Sequence, residues 1–272
     1  MTRYPFQTRR ARAVYLTQYS VVLGALGRFD DAYAAIDAAE AARRDAQDSF
    51  AYSQRQVQVN RGALRVMQGD VAQGIAEIET AFSDRSTFTK RSLTPEPAVY
   101  EYLTRGYLLA GDLPHARIAA DRARDTAARD GVPPARAIWI ALREAEVTAE
   151  EGEPAAALRI VDDVIARHPV AARNMSAQMS VALARARIAA AAGHADDVLR
   201  ALAPWLECAL PQGAELPRDV RGEMQLLAGE ALARATPARA RERLLEAQAT
   251  LQANDVPASP RLARVRHDLA TL

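Results

Sequence analysis

Small and apolar residues recur along this chain at three- and four-residue spacings, interrupted at nearly regular intervals by short turns. Glycine marks five of the turns: Leu26-Gly27-Arg28-Phe29-Asp30, Gln68-Gly69-Asp70-Val71, Ala110-Gly111-Asp112-Leu113, Glu151-Gly152-Glu153-Pro154 and Ala192-Gly193-His194-Ala195. The steps between these glycines are 42, 42, 41 and 41 residues, and a sixth turn at Thr236-Pro237 follows 43 residues later without glycine. Glycine ends a helix in the left-handed conformation at little cost, and the Asp or Pro after it starts the next helix. Seven residues before each turn stand Ser20, Gly62, Thr104, Ala145, Ala186 and Gly229, all small. Five, nine and twelve residues after the glycines come Ala32, Ile36 and Ala39, then Gly74, Ile78 and Ala81, Ala116, Ala120 and Ala123, Ala157, Val161 and Val164, and Val198, Leu202 and Trp205. The sixth unit offers Ala240, Leu244 and Ala247 with its turn one residue shorter. Such offsets lie on one helical stripe, and two antiparallel helices approach closely only where both present small side chains.

The pattern predicts first helices at about 9–26, 51–68, 96–110, 134–151, 171–192 and 217–234, with partners near 30–44, 71–83, 113–129, 154–167, 195–207 and 238–253. The units run at roughly 9–50, 51–95, 96–133, 134–170, 171–216 and 217–257, within a single domain spanning 1–272. A last helix, 258–272, has Ser259 as N-cap and an apolar face of Leu262, Val265, Leu269 and Leu272, with Arg261, Arg264, Arg266 and Asp268 outside. It caps the face that the final unit leaves uncovered. The long connections Ser83–Glu96 and Cys208–Pro217, rich in Pro, Ser, Thr or Gly, are expected to be mobile loops.

With a small residue in the first helix, Gly-Asp at the turn, Ala in the second helix and a closing proline at Pro169, roughly residues 9–253 resemble the tetratricopeptide (TPR) repeat family. The chain looks like the TPR regions of maltose-activator-type bacterial regulators and of bacterial signalling proteins. The resemblance implies an all-α, right-handed α-solenoid of six helix–turn–helix repeats of about 42 residues plus the C-terminal cap. Departures are Arg65 and Thr148, where a large apolar residue is usual, Pro204 within a helix, and the missing sixth glycine.

Composition narrows the function classes. Hydrophobic residues are 49% and charged residues 25% of the 272, a globular balance, while aromatics at 6% and abundant Ala favour close-packed helices over a sandwich. Lys90 is the lone lysine, an arginine bias that reads as GC-rich bacterial coding. A net charge of +1 gives no global pull towards nucleic acid or anionic membrane, although Arg3, Arg9, Arg10 and Arg12 make a basic tip. A single cysteine, Cys208, excludes an internal disulfide and fits a reducing compartment; with neither signal peptide nor membrane span, the expected location is the cytoplasm. Cys208 is expected to be a half-buried, inert thiol. His115, His168, His194 and His267 show no metal-ligand spacing, and Asp30-Asp31 and Asp196-Asp197 sit at helix starts where carboxylates complement the dipole. No catalytic residue, metal site or cofactor is therefore expected, and the chain is read as non-enzymatic.

In TPR arrays the first helices line a concave groove. The resemblance places Gln18, Gln56, Asn60, Glu101, Tyr102, Arg105, Arg143, Glu146, Arg187 and Glu230 on that face as candidate partner-binding residues. Arg105, Arg143 and Arg187 could fork a carboxylate of an acidic peptide, yet Glu101 and Glu146 interleave with them; Trp139 is read as packing between repeats. The expected function is a protein- or peptide-binding scaffold or sensor module with no direct contact to nucleic acid or membrane. The alternatives are a structural oligomerisation platform, a homodimer included, or the regulatory C-terminal part of a larger transcription regulator or kinase.

Overall fold

The computed structural model describes residues 8–45, 51–83, 88, 94–208, 210 and 216–272; the tip at 1–7 and most of the two long connections lie outside the described residues. Among the described residues the protein is all helix with no strand, in fourteen elements. They are α1 (Arg9–Ala25), α2 (Phe29–Asp45), α3 (Ala51–Met67), α4 (Val71–Phe82), α5 (Glu96–Ala110), α6 (Leu113–Asp130), α7 (Pro134–Glu150), α8 (Pro154–Arg167), α9 (Pro169–Ala172), α10 (Met175–Ala191), α11 (Ala195–Leu206), α12 (Arg218–Leu232), α13 (Pro237–Gln252) and α14 (Pro260–Thr271). Neighbours pack as antiparallel pairs, α1 on α2, α3 on α4, α5 on α6, α7 on α8, α10 on α11 and α12 on α13, and each pair leans on the next.

The hinge of each of the first five pairs is one backbone device. Gly27, Gly69, Gly111, Gly152 and Gly193 all have φ between 71° and 90°. At each, the glycine N–H donates three residues back and the following N–H five back, as in Arg28 to Leu23 and Asp112 to Tyr107, both at 2.9 Å. This closes the orphan carbonyls at the helix end. At the sixth hinge Pro237 occupies the first turn of α13 instead.

Behind the hinges, every small residue expected at the helix crossings is buried, and so is the repeating stripe, Trp205 alone being half-buried. The departures from the repeat have local causes. Arg65 is half-buried because Glu77 and Asp70 bond its guanidinium at 3.0 and 3.1 Å. Thr148 returns its hydroxyl to the Glu144 carbonyl and accepts from Arg117 at 2.9 Å. The predicted helix at 171–192 is broken in two: Pro169–Ala172 forms one separate turn, and Asn174, accepting from the Ser176 amide, caps α10. Within the first long connection, Phe88 is buried edge-on against Phe82, and Thr94 is buried too, so these residues are anchored rather than loose. Cys208 is exposed, not half-buried, because α11 ends at Leu206 and leaves it beyond the packed face.

The array curls until its end meets its beginning. Val256 N–H bonds the Gln68 carbonyl at 3.0 Å, and Arg261 bonds the Met67 carbonyl at 2.7 Å. Arg261 is thus buried, contrary to its expected place outside the cap, because α14 faces α5 as well as α12 and α13. Ser259 stands at the N-cap of α14, its carbonyl accepting from Ala263 at 3.0 Å, but its hydroxyl donates to Asp255 at 2.6 Å rather than accepting from a helix amide. This closure separates the hinge glycines. A Cβ on Gly111, Gly152 or Gly193 would meet nothing within 4 Å, whereas on Gly69 it would run into the Ser259 hydroxyl and stand 2.6 Å from its Cβ. Gly111→Ala should therefore cost only the left-handed strain, about 1 kcal/mol, and Gly69→Ala about twice that because the seam must also shift. Equal losses in melting temperature for the two variants would contradict the closed arrangement.

Candidate functional site

The first helices of successive pairs bring one side chain per turn to the inner face. Six residues before each of the last four hinges, the inward position reads Arg105, Glu146, Arg187 and Glu230, alternating in sign from one pair to the next, while the first two pairs have Val21 and Ala63 there. The alternation becomes a continuous ladder. Glu101 on α5 accepts from Arg136 and Arg143 of α7 at 3.3 and 3.4 Å. Glu146 takes Arg143 on one oxygen and Arg187 of α10 on the other, the second at 2.6 Å. Arg187 also bonds Glu223 of α12 at 2.8 Å through Nε. Glu223 lies 3.8 Å from Arg261, which forks onto Asp255 at 2.8 and 2.9 Å. Arg264 of α14 pairs with Glu230.

Burial opposes ionisation of Glu146, Glu223 and Glu230, and the arginines overcome it at the first two. Arg143 and Arg187 hold Glu146 below its usual range, and Arg187 with Arg261 holds Glu223 down at about 2. At Glu230 burial wins over Arg264, with Asp268 adding to it, and its carboxyl is pushed up to about 7. Arg105 is the poorly compensated member. Its Nη2 stands 3.5 Å from Asp219 Oδ2, while its buried Nε and the buried Asp219 Oδ1 have no hydrogen-bond partner among the described residues. Burial, with Arg143 and Arg261 adding to it, lowers the Arg105 pKa, and burial raises that of Asp219.

In front of this ladder is a cavity of about 410 Å³. Its charged lining is Arg105, Arg143, Arg187, Arg261 and Arg264 with Glu146, Glu150 and Glu223; Leu108, Leu109, Leu113, Leu226 and Leu227 supply apolar wall, and Pro260 of α14 stands at one side. The volume falls within the range of ordinary ligand pockets. Glu146 and Glu223 each serve two arginines; among the described residues Arg105 Nε and Arg261 Nη1 are buried without a hydrogen-bond partner, and Arg105 has the weaker carboxylate contact, one at 3.5 Å against two at 2.8 and 2.9 Å.

Of the residues expected on the inner face, Arg105, Arg143, Glu146 and Arg187 line this cavity, Glu101 and Glu230 support it from behind, and Tyr102 lies aside under Arg136, which stands over the Tyr102 and Trp139 rings at 5.8 and 5.1 Å. The other three are elsewhere. Gln18 is exposed on α1. Gln56 is buried, its amide without a hydrogen-bond partner among the described residues, and buried Asn60 spends its amide on Thr94 at 3.0 Å. Sequence reasoning missed Glu223, Arg261 and Arg264, the three that complete the cavity from α12 and α14. The signal available for Glu223 was its place thirteen residues before the sixth hinge, the same inward row as Gln56 and Trp139. Among the described residues no three His, Cys, Asp or Glu side chains stand together as a metal site, and no helix is long and apolar enough to cross a membrane. No protein-family model matches this sequence, and no curated protein matches it either.

Proposed function

We propose that the chain is a non-enzymatic binding module: a right-handed solenoid of six TPR-like repeats with a closing C-terminal helix, taking an acidic segment of a protein partner into its inner cavity. The carrying observation is Arg105, a cation at the cavity wall whose Nε has no hydrogen-bond partner among the described residues and whose Nη2 reaches Asp219 only at 3.5 Å. A carboxylate entering there completes a planar fork of donors that the fold leaves half used. The neighbouring arginines are already locked by Glu101, Glu146 and Glu223, so they supply potential without needing to be ordered on binding. Leucines beside them accept the apolar part of the same segment.

The test compares two fluorescent pools of short peptides, one rich in Asp and Glu with a free C-terminal carboxylate, the other neutral and amidated. The acidic pool is expected to bind saturably. Arg105→Met should weaken it about tenfold, the worth of one charge-assisted contact. Arg105→Lys, which keeps a cation beside Asp219 but not the planar fork, should weaken it too, and melting curves on both variants separate lost binding from lost folding. Equal binding of both pools, or of the acidic pool to wild type and Arg105→Met, would refute the reading.

A further inference from the structure

Among the described connections, only the one between the fourth and fifth pairs carries a helical turn of its own, α9. Its side chains are turned the wrong way for a mere joint. Ala171 and Ala172 pack inward on the core of α7, α8 and α10. Val170 is 81% exposed, the largest fraction for any large apolar side chain among the described residues. A β-branched residue is mildly disfavoured in a helix, and an outward one on a single turn has little of its own chain to rest on.

Val170 borders a groove of about 770 Å³ between α9 and the start of α7. Pro133, Pro134 and Pro169 stiffen its walls, and half-buried Trp139 lies in it with Arg136 over the indole at 5.1 Å. The walls thus offer rigid apolar surface, and Trp139 offers the kind of aromatic anchor on which interfaces concentrate their energy.

The electrostatics of the groove state what it accepts. Its polar side chains are Arg167, His168, Asn174 and Ser176, with no carboxylate among the residues that line it. The first turns of α7 and α10 both enter the lining, and neither contains an acid. α7 begins on Pro133 without a side-chain cap and α10 on the neutral Asn174, so no side-chain charge offsets either positive helix end. The carbonyl end of α8 does not cancel them. His168 N–H takes the Val164 and Ile165 carbonyls at 3.1 and 3.2 Å, and Arg167 Nε takes that of Asp163 at 3.2 Å. Arg167 therefore bonds the main chain of Asp163, and among the described residues it forms no ion pair with that carboxylate. Apolar walls under a positive potential fit a chain that is apolar in the middle and acidic on either side. We infer that the groove between α7 and α9 docks such a segment of a protein partner, its apolar residues on Trp139 and Val170 and its acids towards Arg167 and the two helix ends. No residue lines both this groove and the inner cavity, so the inference does not rest on the cavity's ligand.

Fluorescence anisotropy on the full chain gives the test, with a pool of short peptides blocked at both ends, Asp or Glu outside and Leu, Phe or Trp between. One control pool carries Lys in place of the acids, the other Ser in place of the apolar residues. The first pool is expected to bind saturably, and each control at least about tenfold more weakly. Val170→Asp and Arg167→Glu should each weaken the first pool about tenfold, with unchanged circular dichroism and melting temperature because both side chains are exposed. An excess of the Ser pool, which has only acids to offer, should not displace it. Equal binding of the three pools, no saturable binding of the first, full affinity in Val170→Asp, or displacement by the Ser pool would each overturn the inference.

Discussion

Replacing Arg261 with methionine is expected to lower the unfolding free energy by about 3–5 kcal/mol, the cost of leaving a buried carboxylate without its cation. Arg261 is 4% exposed and ties three regions together: Asp255 by two hydrogen bonds, the Met67 carbonyl by one, and Glu223 by charge. Methionine keeps most of the side-chain volume, so the loss reports charge and hydrogen bonds rather than a void. Asp255 retains the Ser259 hydroxyl and the Asn254 amide at 3.1 Å, which do not neutralise it. Urea unfolding checks this, with Arg266→Met, an exposed neighbour on the same helix, as the control expected within about 0.5 kcal/mol of wild type.

The pH dependence of the Arg261→Met loss identifies its source. The Glu223 carboxyl is held at about 2 in the fold, below its ordinary 4.5, so its contribution is present above about pH 4.5 and disappears as pH falls towards 2. Part of that depression comes from Arg261. The difference between Arg261→Met and wild type should therefore shrink as the pH falls through that window. A difference that stays constant from neutral pH to pH 3 would assign the loss to packing instead.

What could be read from the sequence, and what could not, divides by the range of the interaction. The hinges are local: one glycine with positive φ and two carbonyls within five residues fix each, so Gly27 to Gly193 reveal the helix ends within a residue or two. The small residues at the crossings are legible because six pairs repeat the same requirement. The break before α10 was hidden because Pro169 and Asn174 act one after the other within what looks like one helical run. Arg261 was put on the wrong side of its helix because a helical wheel knows only the helix. Its partner carbonyl belongs to Met67, 194 residues earlier, and only the curl of the whole array brings them together. The ladder shows the same division. The alternation Arg105, Glu146, Arg187, Glu230 is written in the chain, but Arg187 meets Glu223, two turns earlier on α12, rather than Glu230.

Gly62→Ala supplies the second large effect, and its sign is opposite to what helix propensity alone gives. In a helix interior this substitution ordinarily stabilises by about 0.5–1 kcal/mol. Here α3 and α4 cross glycine to glycine. A Cβ on Gly62 would stand 2.8 Å from the Gly74 carbonyl oxygen and 2.7 Å from Ile78 Cγ1, and one on Gly74 would stand 2.7 Å from the Gly62 carbonyl oxygen. Backbone cannot rotate away as a side-chain end can, so the two helices must separate, and Ile78, fully buried beneath them, loses contact on both sides. At the positions of Gly62 and Gly74, three other pairs carry Ser20 and Ala32, Thr104 and Ala116, and Ala145 and Ala157, a Cβ on each side, and all six residues are buried. A net loss of about 3 kcal/mol is expected for Gly62→Ala, at the upper end for overpacking. Gly229→Ala is the internal comparison: its Cβ would press on Leu244 Cγ and Cδ2, at 2.7 and 2.8 Å, with the nearest backbone atom at 3.4 Å, so a rotamer change relieves part of the clash and the loss should be smaller. Thermal unfolding orders the two, and a melting temperature for Gly62→Ala at or above wild type would mean that α3 and α4 do not touch through their backbones.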